Sequence, residues 1–75
     1  MTVQERRSIV TPVAGTIVEF LVAVGSLVDS ETEVAVVESM KMEIPVEAGS
    51  SGTVVEFLVV AGDTVSEGQA LAVLS

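Results

Sequence analysis

The chain has no cysteine, no histidine and one lysine, and it contains three basic residues against 11 acidic ones. The lack of cysteine excludes disulfides and thiolate metal sites, and the lack of histidine removes a common zinc ligand. A formal net charge of −8 argues against nucleic acid and anionic membranes as partners, because both are bound through clustered Lys and Arg.

Aromatic residues are also scarce, with two Phe and no Trp or Tyr, although 49% of the chain is hydrophobic. The core must therefore be aliphatic, and its many β-branched valines favour strands over helices. Seventy-five residues make one domain. The polar start of the chain is not followed by the apolar segment of a secretory signal, and no apolar run approaches membrane-spanning length. We expect a cytoplasmic protein that is monomeric when isolated.

The sequence repeats itself at an offset of 37 residues. Gly15–Val22 aligns with Gly52–Val59, and 11 of the 24 pairs that begin at Gly15 are identical. Self-similarity at a fixed offset indicates repeated structure, but two copies are too few for a solenoid. We therefore expect one domain with internal two-fold pseudosymmetry, in which the equivalent Phe20 and Phe57 are buried.

Each copy shows the pattern of short strands separated by turns. Gly25 and Gly62 each follow a strand-like apolar run and can supply the positive φ of tight turns. No window has a helical periodicity, so the chain is expected to be all-β. Pro12 and Pro45 suit edge strands or strand starts. Glu31 stands where the second copy has a glycine, so its turn must avoid positive φ or accept strain.

Lys41 lies at the junction of the two copies. The segment Ser39–Met42 separates the last strand of the first copy from the entry to the second, and it is predicted to form a hairpin tip. Strand alternation would place Met40 and Met42 on one side and Lys41 on the other. The amine is expected to project into water, at the opposite end from the chain termini and the 48–52 loop.

The sequence Glu38-Ser39-Met40-Lys41-Met42, in this setting, resembles the biotinyl domain of biotin-dependent carboxylases. The family includes biotin carboxyl carrier protein, and the chain is most similar to its small single-domain biotin/lipoyl attachment proteins. The resemblance runs from about Ile9 to Ser75. It implies a carrier domain over 9–75 after a flexible N-terminus over 1–8. The implied fold is all-β, a flattened eight-stranded barrel-sandwich hybrid.

The resemblance also implies a function. Biotin protein ligase would attach biotin to Lys41, and the domain would carry carboxybiotin from a biotin carboxylase to a carboxyltransferase without being an enzyme itself. Met40 and Met42 would help to position the lysine and its cofactor; alternatively, they are core filler over the barrel end. Glu38 and Glu43 either steer a basic partner or are ordinary solvated residues.

Two other functions remain open. The first is a lipoyl carrier, with lipoate attached to Lys41, since lipoyl domains share this fold and symmetry. The lysine of lipoyl domains typically follows Asp rather than Met, so Met40 favours biotin. The second is an unmodified β-sandwich interaction module in which Lys41 is an ordinary surface charge. The single lysine at the midpoint of the two copies makes this hypothesis weaker than the carrier hypotheses.

Overall fold

A computed structural model describes residues 6–75 of the chain. These residues form eight β-strands and no helix, and so none that could cross a membrane. The all-β expectation is confirmed. The strands are β1 (Arg7–Val10), β2 (Gly15–Phe20), β3 (Leu27–Val28), β4 (Glu33–Ser39), β5 (Met42–Glu47), β6 (Gly52–Phe57), β7 (Thr64–Val65) and β8 (Ala70–Leu74).

The strands form two four-stranded antiparallel sheets, in the orders β1-β8-β6-β3 and β5-β4-β2-β7. A shift of 37 residues converts one order into the other. The short strands are exchanged, because β3 pairs with β6 of the second copy and β7 with β2 of the first. The result is the predicted flattened barrel-sandwich with two-fold pseudosymmetry. Pro45 lies in the edge strand β5, where proline is tolerated because it has no N–H to donate, and Pro12 follows β1.

Backbone hydrogen bonds join the copies at two equivalent places. The Ile17 N–H donates to the Asp63 carbonyl oxygen at 2.9 Å, and the Gly62 N–H donates to the Ile17 carbonyl oxygen at 2.8 Å. The same two bonds recur around Val54, at 2.9 and 2.8 Å, with the copies exchanged. Each long strand is thus held by a turn of the other copy.

The core between the sheets is aliphatic, as the composition predicts. Phe20 and Phe57 differ from expectation: they are only half-buried and pack against the core's edge. Their ring centroids lie 4.3 Å apart with planes tilted by 37°. As equivalent residues at the ends of β2 and β6, they meet each other across the pseudo-dyad. The buried apolar side chains are Ile9, Ile17, Val28, Val34, Ala35, Val37, Val46, Ala48, Val54, Val65, Leu71, Ala72 and Leu74.

The first strand begins at Arg7, two residues before the expected domain boundary at Ile9. Arg7 pairs with Leu74 and Ser8 with Val73, and the Arg7 guanidinium donates to the carbonyl oxygen of Ser51. These bonds extend the strand beyond the apolar residues that mark it in the sequence. The flexibility expected for residues 1–8 stays a prediction, and residues 1–5 of this segment lie outside the described residues.

The turn at Glu31 avoids positive φ. Gly68, its counterpart in the second copy, has φ of +82°, whereas Glu31 is not among the residues with positive φ. The Asp29 side chain accepts a hydrogen bond from the Glu31 N–H at 2.9 Å. The Thr32 hydroxyl accepts from the Asp29 N–H, as the Gln69 side chain does at the equivalent position. Side-chain hydrogen bonds therefore stabilise a turn that has no glycine.

Two equivalent glycines allow the sheets to close tightly. A Cβ on Gly15 would lie 2.2 Å from the Glu38 carbonyl oxygen and 2.8 Å from Cγ1 of Val37. A Cβ on Gly52 would lie 2.7 Å from the Ser75 carbonyl oxygen. The approach is tighter at Gly15, where the nearest backbone oxygen lies 2.2 Å from the added Cβ, against 2.7 Å at Gly52. Ser75 is itself held by backbone hydrogen bonds with Thr53, at 2.9 and 3.1 Å.

We predict that Gly15→Ala lowers the free energy of unfolding by about 2–3 kcal/mol, because β4 must move to admit the methyl group. Gly52→Ala is the matched control at the equivalent position, and its effect should be smaller, because the Ser75 oxygen lies 2.7 Å from the added Cβ and has less far to move than the Glu38 oxygen at 2.2 Å. Urea unfolding of the two variants and the wild type measures both effects. Equal losses of unfolding free energy, or a larger loss for Gly52→Ala, would contradict the tighter packing inferred at Gly15.

Candidate functional site

Lys41 occupies the tip of the β4–β5 hairpin. Strand β4 ends at Ser39 and β5 begins at Met42, so Met40 and Lys41 alone form the loop. Their φ angles are 52° and 66°. A two-residue loop with positive φ at both positions has the features of a type I′ turn, whose twist matches that of the flanking strands. The hairpin predicted for 39–42 is therefore present.

The turn holds its residues in a conformation that side chains disfavour. Left-handed backbone costs L-residues roughly 1–2 kcal/mol each, and Asn-Gly is the usual choice for this turn. Within residues 6–75, Met40 and Lys41 are the only non-glycine residues with positive φ. The expected alternation of Met40, Lys41 and Met42 does not apply, because the first two leave the extended conformation.

The side chains of the tip are presented to solvent. Met40 is 92% exposed and Met42 63%, and Lys41 is also exposed. None of the side-chain hydrogen bonds found within residues 6–75 involves Lys41. The two methionines are not core filler, since neither belongs to the buried cluster. Their role in recognition stays a prediction.

The strands below the tip are firmly placed. Strand β4 pairs with β2 on one side and with β5 on the other, and its Val37 is fully buried. Glu38 lies opposite both Thr16 of β2 and Glu43 of β5. A two-residue loop on such a base can move little as a whole, so the mobility of the amine resides mainly in the lysine stem.

Two carboxylates stand at the base of the tip. Glu38 and Glu43 lie directly opposite each other and both are exposed. Like charges in this arrangement destabilise a strand pair. The pairing of Glu38 with Glu43 was not among the expectations from the sequence. Counting outward in equal steps from the tip, with Ser39 opposite Met42, would have found it. The pair places negative charge beside the amine.

The described part of the molecule offers no other candidate centre. No group of three or more Asp or Glu side chains in residues 6–75 is arranged to hold a metal ion, and no pocket is found there. The exposed amine of Lys41 fits covalent attachment of a carboxylic acid cofactor, because it is the chain's one lysine and nothing in the described part covers it.

Comparison with known proteins identifies the family of this chain. The family model described as "Biotin-requiring enzyme", the biotin/lipoyl attachment domain, matches residues 7–74. The chain therefore belongs to the biotin/lipoyl attachment family, whose members bind biotin or lipoate on a lysine. The expected resemblance is confirmed. A search of curated proteins found no match.

Solved structures of both cargo types share the fold. The urea carboxylase of Kluyveromyces lactis superposes with a TM-score of 0.88 at 29% identity over 100% of this chain. A single-chain, multi-domain long-chain acyl-CoA carboxylase gives 0.83 at 27% identity over 97%. This chain spans only 7% of the length of each carboxylase. The lipoyl domain of the Azotobacter vinelandii 2-oxoglutarate dehydrogenase complex gives 0.67 at 27% identity, over 83% of this chain and 78% of that domain.

We predict that replacing the tip by the preferred type I′ pair, as Met40→Asn with Lys41→Gly, raises the free energy of unfolding by about 1 kcal/mol. The gain comes from removing the left-handed strain, less the chain entropy that glycine adds to the unfolded state. Chemical denaturation measures it. Lys41→Arg keeps a side chain at positive φ and should leave stability unchanged. A less stable double variant would show that the tip is not strained.

Proposed function

We propose that this chain is a biotin carboxyl carrier domain that holds biotin on Lys41. One observation carries the proposal: the chain's one lysine stands exposed at the apex of a two-residue hairpin, between two exposed methionines. An amine so placed can enter the active site of another protein without disturbing its own domain. The family supports covalent attachment there, and the carboxylase structures support biotin as the cargo.

The attachment step needs only the lysine from this chain. The neutral Nζ atom attacks the acyl carbon of an activated biotin, biotinyl-adenylate, held by biotin protein ligase. The C–N bond of an amide forms, the adenylate leaves as AMP, and the amine gives up a proton. Because an amide is uncharged, the formal net charge moves from −8 to −9. Glu38 and Glu43 place negative charge beside the site, where a basic ligase surface is favoured.

The position of the Lys41 amine on the β4–β5 hairpin supports the proposed carrier role. Biotin, when bound, supplies the ring that accepts and gives up a carboxyl group. The Lys41 side chain is flexible, and the paired strands β4 and β5 fix the position of its backbone. A short flexible tether keeps a cofactor at an effective concentration on the order of mM at each partner site. We propose a biotin carboxylase and a carboxyltransferase as those partners.

The remaining parts of the proposal concern the protein as a whole. We propose a non-catalytic role, a cytoplasmic location and a monomeric state for the isolated domain. Both carboxylases in the comparison are far longer than this chain, so the partner activities can reside on the same polypeptide or on others. The chemistry at the tip is the same in either arrangement.

A lipoyl carrier is the second candidate function. The likeness to the lipoyl domain supports it, because an exposed lysine on a hairpin serves lipoate as well as biotin. Met40 favours biotin over lipoate, since the lysine of lipoyl domains typically follows Asp. The carboxylase structures also superpose more closely on this chain, with TM-scores of 0.88 and 0.83 against 0.67.

Co-expression with biotin protein ligase, and separately with lipoate ligase, tests the proposal. We expect intact mass spectrometry to show one biotinyl group per chain with the first enzyme. Lys41→Arg should remain unmodified while keeping the wild-type circular dichroism spectrum. Lipoylation alone would establish the second candidate. A chain that neither enzyme modifies would overturn the attachment role.

The methionines are expected to act in the choice of cargo. Met40→Asp or Met42→Asp should slow biotin attachment about tenfold, because a carboxylate replaces an apolar contact with the ligase. Met40→Asp places Asp before the lysine and should favour lipoyl transfer. Time courses with each purified ligase measure both rates. Unchanged rates for both variants would mean that the methionines take no part in recognition.

A further inference from the structure

The tip of the hairpin holds the oxidisable side chains of the described molecule. The chain has no Cys, His, Trp or Tyr, so the thioethers of its three methionines are the side chains that a peroxide attacks first. Met1 lies outside the described residues. The other two, Met40 and Met42, are neighbours of Lys41 on either side. Oxidation of this protein is therefore directed to the residues that flank the proposed attachment site.

Both thioethers are open to attack. Methionines in most proteins are shielded in a core, but Met40 and Met42 lie outside the buried cluster and are mostly exposed. Met40 stands in the loop itself, and Met42 is the first residue of β5, opposite Ser39. A dissolved oxidant can reach either sulfur without any opening of the fold.

We propose that Met40 and Met42 form a methionine-oxidation site that blocks loading of Lys41. The sulfur lone pair attacks one oxygen of a peroxide and the O–O bond breaks. With hydrogen peroxide, the second oxygen leaves as hydroxide, takes up the proton of the oxygen now bound to sulfur, and departs as water. The sulfur loses two electrons and becomes a sulfoxide, and the peroxide is reduced. A methionine sulfoxide reductase with a thiol reductant reverses the change. The inference rests on the proposed function.

The sulfoxide acts through the surface that meets the ligase. A thioether is apolar and adapts its shape, whereas a sulfoxide is polar and carries a strong hydrogen-bond acceptor. A partner surface that receives Met40 and Met42 as apolar contacts would have to desolvate that oxygen without pairing it. The penalty for such a buried acceptor corresponds to a loss of about tenfold or more in rate.

Oxidation should leave the fold intact. Neither sulfur belongs to the core, so sulfoxide formation opens no cavity and buries no polar atom within the domain. Loss of loading would then be a property of the tip and not a sign of unfolding. Equal thermal unfolding midpoints for oxidised and unoxidised protein are the readout that separates the two.

The experiment uses the unmodified 75-residue chain and hydrogen peroxide. Peptide mass mapping after treatment locates each sulfoxide, Met1 included. Catalase then removes the peroxide, and the rate of biotin attachment by biotin protein ligase is compared before and after oxidation. The matched control is Met40→Leu with Met42→Leu, compared only with its own untreated sample. Single Leu variants assign the effect, and Met40, the more exposed residue, should oxidise faster.

We expect about tenfold slower loading of the oxidised wild type, recovery with methionine sulfoxide reductase, and no change in the double Leu variant on treatment. Loading at the same rate before and after oxidation would overturn the inference while leaving the proposed function intact. An equal loss in the double Leu variant would also overturn it, because the effect would then arise elsewhere. Failure of the untreated wild type to load overturns the proposed function, and the inference with it.

Discussion

Hydrogen bonds that cross between the two copies are the constraint on which this structure depends. The Ile17 N–H and carbonyl each bond to the turn at Gly62 and Asp63, and Val54 repeats this with the opposite copy. Strands β3 and β7 have two residues each, too few to be stable without the long strands they flank. Neither copy can complete its own sheet, so residues 6–75 must fold as one unit around one core.

The hairpin tip at Met40 and Lys41 depends on this two-copy fold for its position, but it adds little to the stability of the fold. Strand β4 is fixed on both sides and buries Val37, and the close approach of Gly15 leaves it no room to shift. The tip itself combines left-handed backbone at Met40 and Lys41 with a like-charge pair below. Features that lower stability are thus gathered where the surrounding sheet is most firmly held. Residues kept in such conformations commonly mark functional positions.

Much of this architecture could be predicted from the sequence, because the two copies place equivalent residues in equivalent strands and turns. The 37-residue offset predicted the pseudosymmetry, and the position of Lys41 between the copies predicted the hairpin. The exchange of β3 and β7 was not predictable, because two-residue strands have no periodicity to read and their partners are distant in sequence. The half-exposure of Phe20 and Phe57 was also missed. Composition favours burial of both, but they are the last residues of β2 and β6 and pack against the core without being enclosed by it.

The choice of cargo cannot depend on the fold. Carboxylases and a lipoyl domain both superpose on this chain, at similar identities of 27–29%, so the same scaffold presents either cofactor. In the proposed carrier role, discrimination therefore comes from the few side chains at the tip. Here those are two exposed thioethers and a pair of carboxylates around a single amine. The exposed thioethers are soft, adaptable apolar groups, and the same exposure leaves them open to oxidants. If both proposals hold, selectivity for cargo and sensitivity to oxidation are two consequences of one arrangement of side chains.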